Sequence, residues 1–186
     1  MKQLFLDIET TGFSRDWNEI IELAAILYDT EKQEIIDSFH QYARPVNGKI
    51  PAAIEELTGI TAEKVSGCRP EWEVLMHFCD WCDLYDIDAI VGHNCKSFDL
   101  NFINAKNTKF GIKWEPKAEI IDTLVLARQL KKKGLLNTPN MKQPTLAEHF
   151  GIQYEAHSAI EDVKALIKVY QALEKCAHPS RDSLGF

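Results

Sequence analysis

The 186-residue chain has no basic excess, no apolar run long enough to cross a membrane and no even set of cysteines. Lys and Arg total 21 against 28 Asp and Glu, a formal net charge of −7. Taken alone, that balance argues against tight electrostatic binding to bulk nucleic acid. It leaves room for an enzyme that holds a few nucleotides through metal ions, with weak or salt-sensitive binding. The apolar start Leu4-Phe5-Leu6 is too short for the core of a signal peptide, and Asp7 ends it. A cytoplasmic location without membrane association is therefore expected. Cys68, Cys79, Cys82, Cys95 and Cys176 make an odd, irregularly spaced set, which points to free thiols in a reducing compartment. Internal repeats and low-complexity segments are also missing.

At 45% hydrophobic and 26% charged, the chain is long enough for one domain with a sizeable core. That domain is expected over residues 1–174. Over residues 175–186 the helical periodicity is lost, and Pro179, Ser180 and Ser183 suggest a loose tail.

Periodicity sets out the elements. Lys2–Glu9, Ile20–Asp29 and Glu34–Ala43 read as strands, with Thr30–Gln33 suiting a hairpin turn, so an antiparallel meander is expected. A short helix is expected near Ala52–Leu57. Pro70 opens a longer one to about Tyr85, with Trp72, Leu75, Phe78, Cys79 and Cys82 on one stripe. Ala89–Gly92 and Ile120–Asp122 are short strands, each followed by a helix, Asp99–Lys106 and Thr123–Leu130. Thr145 is expected to cap a short helix through Phe150, and Ser158–Lys175 is the last helix. Three strands followed by alternating helices and strands imply a mixed, five-stranded α/β sheet flanked by helices.

Asp7-Ile8-Glu9 is the feature with the most chemistry in it. Side chains alternate along a strand, so Asp7 and Glu9 share a face with Cα atoms about 6–7 Å apart, and Ile8 points into a core. Two acids aimed at one spot repel unless a cation lies between them. A pair of divalent cations about 3.5–4 Å apart would satisfy them, and such pairs cleave phosphodiesters. Asp99 and Asp162 fall in the first turns of helices, where an acid by itself need only complement the helix dipole. In a doubly wound arrangement, however, strand ends and the helices that follow them meet at one rim.

Taken together, the motifs resemble those of the DnaQ-like (DEDDh) 3′–5′ exonucleases. Asp7-Ile8-Glu9-Thr10 is similar to that family's first motif, His93-Asn94 with Phe98-Asp99 to its second, and His157-Ser158-Ala159-Ile160-Glu161-Asp162 to its third. Gly59-Ile60-Thr61, Asp122-Thr123-Leu124 and Thr145-Leu146-Ala147-Glu148 add to the likeness, which covers Lys2 to about Leu173. Four residues separate Asn94 from Asp99 where many members have three.

The resemblance implies an RNase H-like fold and two Mg²⁺ or Mn²⁺ ions held by Asp7, Glu9, Asp99 and Asp162. Asp7 would bridge both metals, with Glu9 and Asp162 at one and Asp99 at the other. His157 would be the general base, a task that suits an imidazole, whose ordinary pKa is about 6.5. Nucleoside 5′-monophosphates would leave from a single-stranded or frayed 3′ end. The segment Thr10, Thr11, Gly12 and Phe13 would receive the terminal nucleotide, and His93 and Asn94 would order the neighbouring loop against substrate. The Leu57–Thr61 segment is similar to the polymerase-associated branch, which implies DNA as substrate and a DNA polymerase or other replication or repair protein as partner. An RNA-trimming enzyme, a two-metal endonuclease and a non-catalytic binding module of the same fold are the alternatives.

Other features carry less. His77, Cys79 and Cys82 resemble part of a zinc site but lack a second ligand pair, so structural thiols are expected. Lys131-Lys132-Lys133, with Arg128 and Lys142, is either a solvated helix end or a phosphate contact. Trp17, in a polar loop, has two readings, stacking on a base or packing against the chain.

Overall fold

The computed structural model describes residues 1–154 and 156–178. A six-stranded mixed sheet runs in the order β4-β3-β2-β1-β5-β6. Strand β1 (Lys2–Thr10) lies near its middle, antiparallel to β2 (Ile20–Asp29) and parallel to β5 (Ala89–Gly92). Strand β3 (Glu34–Arg44) completes the meander, and β6 (Glu119–Asp122) pairs parallel with β5. The expected five strands become six through β4, the dipeptide Arg69–Pro70 paired with Ala43 and Arg44. Two residues carry no alternation, so periodicity could not reveal it.

Helices α1 (Ala52–Thr58) and α2 (Ala62–Val65) occupy the link from β3 to β4. Helix α3 (Glu71–Cys82) uses Pro70 as its N-cap and stops three residues short of the expected Tyr85. Trp72 is not on its buried stripe but 46% exposed; Val74 takes its place beside Leu75, Phe78, Cys79 and Cys82. Cys79 and Cys82 are core thiols, and burial pushes the Cys79 thiol up to about 12.

Helix α4 (Asp99–Phe110) runs one turn past the expected end, because Lys106 and Asn107 are buried polar residues that interrupt the apolar stripe without ending the helix. Helix α5 spans Thr123–Lys132. In α6 (Gln143–His149) the N-cap is Lys142 rather than Thr145, with a proline in the first turn. Helix α7 (Ala159–Ala177) continues past the expected Lys175, so the start of the expected tail is helical; residues 179–186 lie outside the described residues.

Alternation along β1 divides the core in two. Leu4, Leu6 and Ile8 pack with Leu75, Phe78, Phe102 and Ile103 of α3 and α4. Phe5, on the other face, packs with Val163, Leu166, Ile167 and Tyr170 of α7. Each such side chain contributes roughly 1.5–3 kcal/mol on burial, so an acid at Leu166 would detach α7 from the sheet. Asp7 and Glu9 continue the Phe5 face, which brings the N-terminus of α7 over them. Among the described residues no helix is long and apolar enough to cross a membrane.

Candidate active site

Strand β1 delivers Asp7 and Glu9, and the first turn of α7 delivers Asp162. Each offers a carboxylate oxygen, and the three oxygens lie within 4.8 Å of one another. Asp99 arrives from the opposite side. Strand β5 pairs with β1 only as far as Phe5, which leaves the Ile8 amide free on that edge. Asp99 fills the gap, its Oδ1 accepting the Ile8 N–H at 3.2 Å.

The charge balance at this spot is one-sided. Burial raises Asp7 well above the usual carboxylate range, and Asp99, Asp162 and Glu9 add to it. Glu9 is pushed up to about 8, by burial first and then by Asp162, Glu22 and Asp99. Asp99 and Asp162 are also raised, mainly by burial. No Lys or Arg among the described residues forms an ion pair with any of the four. A donor set made only of hard oxygens, crowded and uncompensated, fits Mg²⁺ or Mn²⁺ and would be relieved by them.

Asp162 is braced by neighbours that motif reading missed. Its Oδ1 accepts from Gln143 Nε2 at 3.0 Å, which also reaches the Asp162 carbonyl at 3.1 Å. Its Oδ2 accepts the backbone N–H of His157 at 2.8 Å. The His157 side chain is exposed, on a backbone with φ of +72°. Glu22 is the other missed group: wholly buried on β2, it sits directly opposite Glu9. A single charge inside the apolar run Ile20–Leu27 was its visible signal; Gln143 had none.

The remaining expected residues form the rim. Thr10 and Thr11 are buried in the turn that ends β1. Thr10 Oγ1 donates to the Gly12 carbonyl at 2.6 Å, and Thr11 Oγ1 accepts the Glu19 N–H at 3.0 Å. Gly12 is required by close approach, since a Cβ there would lie 2.8 Å from the Asn18 side chain. Phe13 is 87% exposed rather than core, its ring centroid 6.4 Å from that of Phe98. His93 Nδ1 lies 2.9 Å from Thr123 Oγ1. Asn94 adopts the left-handed φ of +61° that asparagine tolerates. Asp122 ties down this loop by accepting the amides of Asn94, Lys96 and Leu124 at 3.0, 3.2 and 3.0 Å. Within the lengthened segment Cys95–Ser97, Cys95 turns inward and is fully buried. His93, Asn94, Arg128, Lys142 and Gln143 line a cleft of about 450 Å³. Gln143 thus joins this cleft to Asp162.

A mixed sheet that brings four carboxylates to one end of its central strand is an arrangement suited to metal-centred phosphodiester cleavage. Residues 4–170 match the family model described as Exonuclease (RNase_T), and the chain belongs to that exonuclease family.

The chain is similar to DNA polymerase III PolC-type of Listeria innocua, 36% identical over 177 residues. That match covers 95% of this chain and 11% of the relative, so the chain spans about a tenth of such proteins. Among solved structures it resembles E. coli Exonuclease I in complex with a dT13 oligonucleotide, with a TM-score of 0.78 and 21% identity, covering 94% of this chain and 40% of that one. It also resembles the nuclease domain of 3′hExo, a DEDDh family member bound to rAMP, with a TM-score of 0.77 and 24% identity, covering 96% and 92%. At these identities the structural likeness is one of fold, and the fold is RNase H-like.

Proposed function

We propose that this domain hydrolyses single-stranded or frayed nucleic acid from the 3′ end, DNA before RNA, and releases nucleoside 5′-monophosphates. The observation that carries the reading is the convergence of Asp7, Glu9 and Asp162 within 4.8 Å, with Asp99 against the same strand, in a chain of the exonuclease family.

Asp7, Glu9, Asp99 and Asp162 would hold two Mg²⁺ or Mn²⁺ ions. Bound there, the ions would supply Lewis-acid stabilisation of the charge that grows on the phosphate and on the leaving 3′ oxygen. The chain's own groups do the rest. His157 is exposed beside Asp162, where its ring can take the proton of a water attacking phosphorus. Gln143 and the His157 amide orient Asp162. Thr10, Thr11, Gly12 and Phe13 receive the terminal sugar and base, while His93, Asn94, Arg128 and Lys142 flank the strand's phosphates.

The preference for DNA follows the likeness to a DNA polymerase III at 36% identity, which also makes a polymerase or another replication or repair protein the expected partner. The likeness to a nuclease domain bound to rAMP favours RNA as the second reading.

The test incubates 5′-labelled single-stranded DNA and RNA with Mg²⁺, alongside Asp162→Ala. Loss of one nucleotide at a time from the 3′ end, absent in the variant and with a blocked 3′ end, is expected. Internal cuts would mean an endonuclease, and no cleavage of either strand would mean a binding module.

A further inference from the structure

Glu22 lies beside the proposed metal ligands but has no part in the chemistry above. Its side chain is fully buried, and it stands opposite Glu9 in the β1–β2 register. A carboxyl group in such a place must have both oxygens paired. Oε1 lies 2.7 Å from Nε2 of His40 on β3, and Oε2 accepts the backbone N–H of Ala159 at 3.2 Å.

The second bond has a particular meaning for α7. The first amides of a helix lack acceptors within it, and a capping side chain ordinarily serves one of them. Ser158, the N-cap of α7, makes no side-chain cap bond. The amide of Ala159 is served instead from another element by Glu22, an acid at the end of the helix that favours one. Asp162 is in the same turn, with its own N–H bonded to the Ser158 carbonyl at 2.9 Å.

Farther along, α7 is held by Val163, Leu166, Ile167 and Tyr170 against Phe5. Apolar contact is non-directional and tolerates sliding, whereas a hydrogen bond at the first turn does not. His40 is itself constrained, its ring centroid 5.2 Å from that of Tyr42.

We propose that Glu22 is a positioning residue: it pins the first turn of α7 to β2 and so sets Asp162 at the spacing from Asp7 and Glu9 that a metal site needs, with His40 holding Glu22 in place. The proposal rests on the reading of Asp7, Glu9 and Asp162 as a metal site.

The experiment is a Mn²⁺ titration by electron paramagnetic resonance on the wild type, Glu22→Gln, Glu22→Leu and His40→Ala. Circular dichroism checks folding, the Ala159 amide is followed by NMR, and kcat and KM are measured on single-stranded DNA. Glutamine keeps an oxygen for the Ala159 amide, so Glu22→Gln should bind Mn²⁺ within about threefold of wild type and keep that amide protected. Leucine fills the space without an acceptor. It should weaken Mn²⁺ binding at least tenfold, expose the amide to exchange and lower kcat with little change in KM. His40→Ala should fall between.

Wild-type Mn²⁺ affinity in Glu22→Leu would overturn the proposal, and so would a loss in Glu22→Gln equal to that in Glu22→Leu, which would make charge rather than geometry the cause. If Glu22→Leu does not fold, a His40→Ala variant indistinguishable from wild type overturns it instead. A wild type that binds Mn²⁺ but cleaves no strand removes the exonuclease reading and leaves this one to the titration. A wild type that binds no Mn²⁺ removes both.

Discussion

The amide of His157 donates to Oδ2 of Asp162 at 2.8 Å, so the residue proposed to move the proton is tied by its backbone to an acid proposed to hold metal. The tie also accounts for the left-handed φ of +72° at His157, a conformation that costs a non-glycine residue roughly 1–2 kcal/mol without such support. Backbone and ring therefore have separable tasks. His157→Asn, which tolerates that φ, should lower kcat by about 10²–10⁴, the range for general acid–base catalysis, and leave Mn²⁺ affinity near wild type. Asp162→Ala should lose both. Calorimetric Mn²⁺ titration beside single-turnover rates decides; a His157→Asn variant that loses metal would make the ring a ligand.

Metal-free stability should fall as pH rises. Glu9 moves from the ordinary 4.5 up to about 8 on folding, and Asp7, Asp99 and Asp162 move in the same direction. Between those values the folded state binds more protons than the unfolded one, so the slope of unfolding free energy with pH is negative. The contribution is complete below about 4.5 and is lost as pH rises through about 8. In chelator, Tm should fall between pH 5 and 8.5, and Mg²⁺ should flatten the curve by replacing the protons. Glu9→Gln should remove part of the slope. Glu71, pushed up to about 7 by burial away from the acid cluster, should contribute a part of the slope that Mg²⁺ does not relieve. A Tm that rises with pH in chelator contradicts this account.

Much of this architecture was legible because β1 and β2 are dominated by burial. Nearly every residue of Ile20–Asp29 is buried, and an apolar run of that length, followed by a turn segment and a second strand-like run, reads as a buried strand of a hairpin. The acids at positions 7, 9, 99 and 162 were legible as motifs. What escaped is what depends on a partner distant in sequence. Gln143 acts on Asp162, 19 positions away, and has no local signature; Glu22 acts on Ala159, 137 away, and the lone charge in an apolar run marks the residue but not its partner. Trp72 fitted a helical stripe by spacing yet lies outside the core, because the stripe turns with the helix and Val74 fills the inward position. The basic cluster looked like one feature and is two.

Lys131 donates its Nζ to the Thr138 carbonyl at 2.8 Å and so pins the loop before α6, while Arg128 and Lys142 line the cleft with His93 and Asn94. Neutralising Arg128 and Lys142 to glutamine should weaken single-stranded DNA binding and reduce its salt slope by roughly 0.7 for each phosphate that is no longer neutralised. Lys131→Gln should lower Tm and leave the slope alone. Fluorescence anisotropy over a salt series, in an Asp7→Asn background that does not cut, separates them. An equal slope change for Lys131→Gln would restore the undivided cluster.

At Gly92 the end of β5 passes so close to Cys95 that an added Cβ would lie 2.4 Å from the Cys95 Cβ. Gly92→Ala should therefore cost about 1–3 kcal/mol, as overpacking does, and displace the loop that carries His93 and Asn94. The clash is with Cβ, so Cys95→Ala should not rescue the variant, whereas Cys95→Gly should recover part of the stability. Denaturant unfolding of the four proteins checks it. Rescue by Cys95→Ala would place the conflict at the sulfur.

Phe13 is 87% exposed at the rim, one edge of a cleft of about 300 Å³ that it shares with Arg15, Phe98 and Asn101. The bracing of its loop by Asn18, which accepts the Ser14 N–H at 2.9 Å and donates to the Thr11 carbonyl at 3.3 Å, does not involve the ring. A large apolar ring left in water, with only the edge of Phe98 near it, contributes little to folding. Phe13→Ala should leave Tm unchanged and weaken single-stranded DNA binding by about 1–3 kcal/mol, the scale of one base stacked on an aromatic side chain. Trp17 is as exposed but lies farther along the loop, and Trp17→Ala should have the smaller effect. The comparison is one of Kd on the same oligonucleotide; a drop in Tm for Phe13→Ala, or a greater decrease in affinity for Trp17→Ala, would move the stacking surface away from Phe13.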